Sequence, residues 1–168
     1  MGQVQPHFNH KDLAKFFLTN FGNGSYNKKI PAFVFSSNKT FINALLRGYF
    51  DGDGNINSDP RRSTIRCGSR SEQLMVGINL LLTFNGIVAS KLQENIYKGE
   101  EKVLHTLYIP KKYAQTYKTT IGSNMTDKLK GLNEIIEWND RECNTSQDNS
   151  DKIPELGSTI AKIGKALG

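Results

Sequence analysis

Ala44, Gly48 and Gly52 recur at every fourth position of Thr40 to Gly52, a stretch with the apolar content and length of a buried helix. Residues four apart share a helix face, so this spacing strips one face of almost all side-chain atoms. Glycine costs about 1 kcal/mol against alanine inside a helix, so two on one face call for a compensating gain. Close approach by another helix supplies such a gain in small-xxx-small packing, leaving Leu45, Leu46, Tyr49 and Phe50 for the core. The competing reading is that the glycines only bend or end the helix.

Where the helix stops, the chain reads Asp51-Gly52-Asp53-Gly54. A carboxylate at the negative end of a helix dipole is unfavourable until a cation relieves it. Mg²⁺ takes one or two carboxylates together with waters and phosphate oxygens, so Asp53 beside a basic hairpin fits a phosphodiester-cleaving site. The four residues also read as a plain turn. A calcium loop is disfavoured, because the further oxygen ligands and closing glutamate of an EF-hand are absent.

At 168 residues the chain is expected to be one domain. Its longest nearly unbroken apolar run, Val76 to Phe84, is too short to cross a bilayer, so no membrane partner is expected. The amino end lacks a basic-then-apolar secretory signal, and Cys67 and Cys143 are the only cysteines, which predicts a reduced, cytoplasmic protein. The net charge of +6 is unevenly placed: residues 1–70 carry ten basic and four acidic side chains, whereas residues 71–168 carry twelve of each. That asymmetry points to a polyanion partner, although a high pI by itself also keeps a protein soluble.

Periodicity predicts an amphipathic helix over residues 10–21, ended by Gly22 and Gly24, and the central helix after the capping cluster Ser36-Ser37-Asn38. Gly54 to Gly68 reads as a hairpin with the basic tip Asp59-Pro60-Arg61-Arg62. Ser71-Glu72-Gln73 caps a helix through Phe84, closed by Asn85-Gly86, and strands follow at Ile87 to Asn95 and Lys102 to Ile109. Pro110 opens another helical stretch, Thr126 to Trp138 is a further amphipathic helix, and residues 158–167 place apolar groups at 160, 163 and 167 as one stripe. His7, His10 and His105 lack metal-ligand spacing.

The stretch Leu46-Arg47-Gly48-Tyr49-Phe50-Asp51-Gly52-Asp53-Gly54 resembles the signature of the LAGLIDADG homing endonucleases, in the dodecapeptide form found inside archaeal inteins. The similarity extends to Lys29-Ile30-Pro31-Ala32-Phe33-Val34-Phe35 before it, and after it to Ser69-Arg70-Ser71-Glu72-Gln73-Leu74 and the run Leu80 to Val88. It covers residues 8–139 and implies an α+β fold, one αββαββα repeat with a four-stranded antiparallel DNA-binding sheet. The expected organisation is a repeat at 1–139, a polar linker at 140–152 and a short C-terminal helix at 153–168.

The resemblance implies a sequence-specific double-strand DNA endonuclease dependent on Mg²⁺, with Mn²⁺ as a substitute. In the family the motif helices of two repeats pack together, and each ends in an acidic metal ligand. Carried over by position, that ligand is Asp53, with Gly52 beside it at the metal and Asp51 supporting the helix end. Since the chain holds one such nonapeptide, Ala44, Arg47, Gly48, Asp51 and Gly52 would meet a second copy in an isologous homodimer, or a repeat absent from this chain. A sheet of this kind lies in the major groove. The candidate DNA contacts are Asn55, Asn57, Arg61, Arg62, Thr64, Arg66 and Arg70 on the first hairpin, with Lys91, Gln93, Asn95 and Lys98 on the second.

The family also places a lysine near the scissile phosphate; Lys128 and Lys130 are the candidates, with Lys111 and Lys112 behind them. Each of these residues taken singly also reads as a solvated surface charge. The chain does not end in the His-Asn pair of self-splicing proteins, so splicing is not expected. The rival function is a non-catalytic DNA- or RNA-binding module, as in a maturase or transcription factor, or an inactive half of a two-repeat enzyme.

Overall fold

His10 opens the first helix: its ring Nδ1 accepts the amide of Leu13 at 3.4 Å, and α1 (Lys11–Phe21) ends at Gly22, where φ is 83°. The computed structural model describes residues 10–96 and 103–142. Nothing in α1 is buried, and its attachment is aromatic: Phe16 and Phe21 each approach Phe33 with centroids 6.3 Å apart. Phe33 lies in α2 (Ala32–Phe35), a single turn for which the sequence reading names no element. Pro31 explains it, since proline has no amide to lose and its fixed φ suits a helix start.

Asn38 caps α3 (Lys39–Asp53), its side-chain oxygen accepting the amide of Phe41 at 2.9 Å. Leu46 and Phe50 are fully buried, with Leu45 and Tyr49 packed on the same core, so the helix turns the expected side inward. The chain then passes directly into β1 (Gly54–Asn57) and, after a tight turn, β2 (Thr64–Ser69). Gly54 is needed at this junction. A Cβ there would stand 2.5 Å from the carbonyl oxygen and 2.9 Å from the Cα of Phe50, which are backbone atoms and cannot swing aside. Gly54→Ala is therefore expected to destabilise the fold by about 1–3 kcal/mol, read as a fall in Tm of several degrees; an unchanged Tm would refute this account of the junction.

Ser71 caps α4 (Glu72–Phe84), accepting the amide of Leu74 at 3.2 Å while its hydroxyl donates to the Lys28 carbonyl at 2.5 Å. α4 ends at Asn85-Gly86 as expected, and only the start of the next strand differs. Gly86, with φ of 73°, donates to Thr83 and Ile87 donates to Leu82, a Schellman closure that buries Ile87. Ile87 thus belongs to the helix stop, and β3 (Ser90–Ile96) starts later. The strand β4 (Val103–Ile109), a 3₁₀ turn at Lys111–Tyr113, α5 (Ala114–Thr120) and α6 (Thr126–Glu142) complete the described chain. α6 runs through Glu142, into the stretch expected to start a linker at 140; the rest of that linker and the expected helix at 153–168 lie outside the described residues.

The strands form one antiparallel sheet in the order β1-β2-β4-β3. Its inner face carries Ile65, Cys67, Leu107 and Ile109, which pack with Leu46 and Phe50 of α3, Met75, Ile78, Leu81 and Leu82 of α4, and Leu132 and Ile135 of α6 in one core. Each fully buried side chain of this size contributes about 1.5–3 kcal/mol of transfer free energy, so the core holds the sheet against the helices and leaves its other face open. No described helix is long and apolar enough to cross a membrane.

Candidate metal centre and nucleic-acid interface

α3 runs unbroken through Gly48 and Gly52 to Asp53, so neither glycine ends it. Nor does either glycine make room for anything within the described chain: beyond the backbone of α3 itself, no atom lies within 4 Å of the position a Cβ would occupy on Gly48 or Gly52, and Ala44 is exposed beside them. The flat face is open.

Asp53 stands at the end of that face. Its carboxylate is exposed and accepts no hydrogen bond among the described residues. It borders two concavities. One, of about 310 Å³, lies on the outward face of the sheet with Asn55, Arg66, Thr106 and Tyr108. The other, of about 330 Å³, lies between α3, α4 and the segment before α2, with Lys28, Lys29 and Tyr49. Burial, with the charge of Asp53 adding to it, pushes the Cys67 thiol up to about 12. The phenol of Tyr49 is likewise raised, chiefly by burial, and its hydroxyl donates to the Gly68 carbonyl at 3.2 Å. Both stay protonated at neutral pH in the chain by itself.

The donor set tests which metal fits. Among the described residues no group of three or more His, Cys, Asp or Glu side chains is placed to hold an ion, which disfavours a closed zinc or calcium cage. A single unbonded carboxylate beside open space fits Mg²⁺, which keeps several waters and uses phosphate oxygens for the remainder. Gly52, the other residue expected at the metal, is exposed next to it.

The basic residues divide differently from expectation. Lys128 spends its Nζ on three carbonyls, those of Phe50 at 2.6 Å, Asp51 at 2.8 Å and Gly54 at 2.7 Å. Lys130 points into solvent, 77% exposed, with Glu134 at 3.9 Å. Arg47 and Asp51, expected on the dimer face with Ala44, Gly48 and Gly52, are engaged inside the chain. Arg47 Nε donates to the Ile121 carbonyl at 2.5 Å, and the Asp51 carboxylate accepts the Ser123 hydroxyl and, at 3.0 Å, the Asn124 amide. Residues 47 and 51 lie on the flank of α3 that meets the loop before α6, whereas 44, 48 and 52 do not.

On the sheet, register places Asn55 opposite Arg66 and Asn57 opposite Thr64, while Ile65 and Cys67 point into the core, so those four share the outward face. Arg61 and Arg62 are exposed on a turn held by Asp59, whose carboxylate accepts the Arg61 amide at 2.8 Å; the Asn57 side-chain oxygen in turn accepts the Asp59 amide at 3.0 Å. Arg70 lies over the ring of Tyr26, 5.7 Å from its centroid. Lys91, Gln93 and Asn95 are described only as positions on β3, with Gln93 opposite Thr106 and Asn95 opposite Leu104; Lys98 lies outside the described residues.

Tyr108, Thr106, Lys28 and Lys29 are among the lining residues that the sequence reading missed. Tyr108 pairs with Arg66, and Thr106 with Gly68, on the outward face, a relation that only strand register reveals. Lys28 and Lys29 share a concavity with Asp53 because Ser71 ties the Lys28 carbonyl to the start of α4. The only sequence signal for them is a basic pair just before Ile30-Pro31.

An antiparallel sheet backed by helices, with a glycine-faced helix delivering a free carboxylate to its edge, defines a protein of α+β class with the layout of one αββαββα unit. Residues 40–122 match the LAGLIDADG-like domain, and the chain carries a domain of that family. It is 38% identical over 152 residues to the DNA-directed RNA polymerase subunit Rpo1C of Methanocaldococcus jannaschii, a match covering 90% of this chain and 16% of that protein. It is 30% identical over 129 residues to a DNA polymerase of Thermococcus hydrothermalis, covering 75% of this chain and 8% of that protein. It is 31% identical over 135 residues to a glutamine–fructose-6-phosphate aminotransferase of M. jannaschii, covering 76% and 12% respectively. The chain thus spans a small part of relatives whose names share no common activity.

Proposed function

We propose that the chain is a sequence-specific double-strand DNA endonuclease of the intein type, cutting phosphodiester bonds with Mg²⁺ and acting through two copies joined by the Ala44/Gly48/Gly52 face. The observation that carries the reading is the position of Asp53, exposed and unbonded where that open helix face meets the outward face of the sheet. A polymerase subunit and an aminotransferase have no reaction in common, so a segment similar to parts of both has the character of an inserted element. Bound there, Mg²⁺ would supply Lewis-acid polarisation of the phosphoryl group and an activated water.

The residues of the chain have separable tasks. Two-fold packing of the glycine faces brings two Asp53 carboxylates together, each sharing a cleft with the outward sheet face. On that face Arg66 is suited to guanine, Asn55 and Asn57 to adenine, and Tyr108 to apolar contact in the major groove. The charge-stabilising lysine is Lys28 or Lys29, which share a cleft with Asp53, because the donors of Lys128 are already used. The double variant Lys28→Ala/Lys29→Ala is expected to slow single-turnover cleavage by about 100-fold or more, whereas Lys130→Ala stays within about twofold. The reverse ranking would return the role to α6.

The test of the function is a cleavage selection on a randomised duplex library with Mg²⁺. A recovered near-palindromic site establishes a nuclease of two identical copies. An asymmetric site with activity only after adding a second repeat would favour a half of a larger enzyme, a reading supported by the small share of its relatives that the chain spans. Binding without cleavage would leave a DNA-binding module.

A further inference from the structure

The last turn of α3 is fastened by a cation from another element. An ammonium has three donors and no acceptor, and Lys128 Nζ places one on each of the carbonyls of Phe50, Asp51 and Gly54, at 2.6, 2.8 and 2.7 Å. These carbonyls bracket Asp53 on both sides along the chain. Two of them belong to the final turn, at the negative end of the helix dipole, and the Phe50 carbonyl also accepts the Gly54 amide. The fastening is reciprocal: the Asp51 carboxylate accepts the Ser123 hydroxyl and the Asn124 amide, and Arg47 holds the Ile121 carbonyl. The loop before α6 and the first turn of α6 therefore form a collar around the last two turns of α3.

The geometry points to Lys128 as the positioning residue of the Asp53 site: it fixes the backbone from Asp51 to Gly54 so that the Asp53 carboxylate is held out from the helix end, and it touches no substrate itself. This rests on the reading of Asp53 as a metal ligand. The physical reason is that Asp53 makes no hydrogen bond of its own among the described residues, so its direction is set by the backbone that carries it. A charge-assisted bond to each flanking carbonyl is the strongest restraint that backbone has, and the positive charge also offsets the carbonyl dipoles that would otherwise repel the carboxylate.

Three variants test it, Lys128→Met, which keeps the apolar stem, Lys128→Arg, which keeps the charge but cannot converge a planar fork on three carbonyls, and Asp51→Asn, which weakens the opposite half of the collar. Mn²⁺ is titrated into each at a temperature well below its Tm and followed by electron paramagnetic resonance, with Asp53→Asn in parallel, and hydrogen exchange is recorded for the amides of residues 52–54. The expected result is that both Lys128 variants weaken Mn²⁺ binding about tenfold or more and speed exchange at 52–54 while amides of Ile78 and Leu81 are unchanged. A purely structural lysine would lower Tm and leave the Mn²⁺ affinity of the folded protein as it was. Wild-type affinity in both Lys128 variants, with binding lost in Asp53→Asn, overturns the inference and spares the metal reading. Equal affinity in Asp53→Asn and wild type removes the metal reading instead, and unchanged exchange at 52–54 would then overturn the collar as well. Should Lys128→Met fail to fold, Lys128→Arg and Asp51→Asn decide by the same readouts.

Discussion

Asp53→Asn is expected to abolish cleavage, a loss of about 10³-fold or more, while binding to duplex DNA stays within a few-fold. The substitution keeps the shape of the side chain and removes the charge that makes it a ligand for a hard cation. Nothing in the fold depends on that charge, since the side chain is exposed and accepts no hydrogen bond among the described residues. Its Tm should therefore move little, as for surface substitutions in general. Removing the charge also withdraws one of the two causes that raise the Cys67 thiol, so the pKa of that thiol should fall from about 12 while burial, the larger cause, keeps it above the ordinary range. Single-turnover cleavage alongside fluorescence anisotropy checks the main result. Cleavage retained by the variant would remove Asp53 from the site and with it the carboxylate-metal mechanism.

Gly48→Leu is the second large effect, and it is expected to separate stability from assembly. The space above Gly48 is open, so a Cβ there meets nothing outside its own helix, and replacing glycine in a helix interior with a better helix former is worth up to about 1 kcal/mol. The folded copy should be at least as stable as wild type. The same side chain stands in the way of a second helix seated on the flat face, so the dimer should be lost, with its mass in sedimentation falling to that of one copy and cleavage falling with it. Wild-type mass and cleavage in Gly48→Leu would show that the glycine face is not the meeting surface. Gly54→Ala offers the internal contrast: its glycine is required by the chain's own backbone, not by a partner.

Local rules carry a long way here. Asn38 and Ser71 cap the helices they precede, Asn85-Gly86 stops α4, and the alternation of Thr64 to Cys67 sorts outward from inward residues, because capping, glycine turns and strand pleat act over a few residues. The Ala44/Gly48/Gly52 spacing, a property of one helix, was also legible as an open face. The place of Asp53 at the helix stop before Gly54, together with the family resemblance, marked it as the carboxylate at its end.

Contacts between distant segments were decided by the tertiary structure. Lys128 reads from sequence as one of several lysines at a helix start. Only the packing of α6 against the end of α3 brings its ammonium onto three carbonyls more than 70 residues away, and only the tie from Ser71 to Lys28 sets the Lys28-Lys29 pair beside Asp53. Ile87 was drawn from the expected strand into the stop of α4, because burying its side chain and pairing its amide with Leu82 satisfied both at once. The sequence by itself determined the main helices and strands of the described chain and the carboxylate that stands at the end of the glycine-faced helix. The fold alone decided which cations lie beside that carboxylate and which are spent holding it, since hydrogen-bond valence and the meeting of distant chain segments are not local properties.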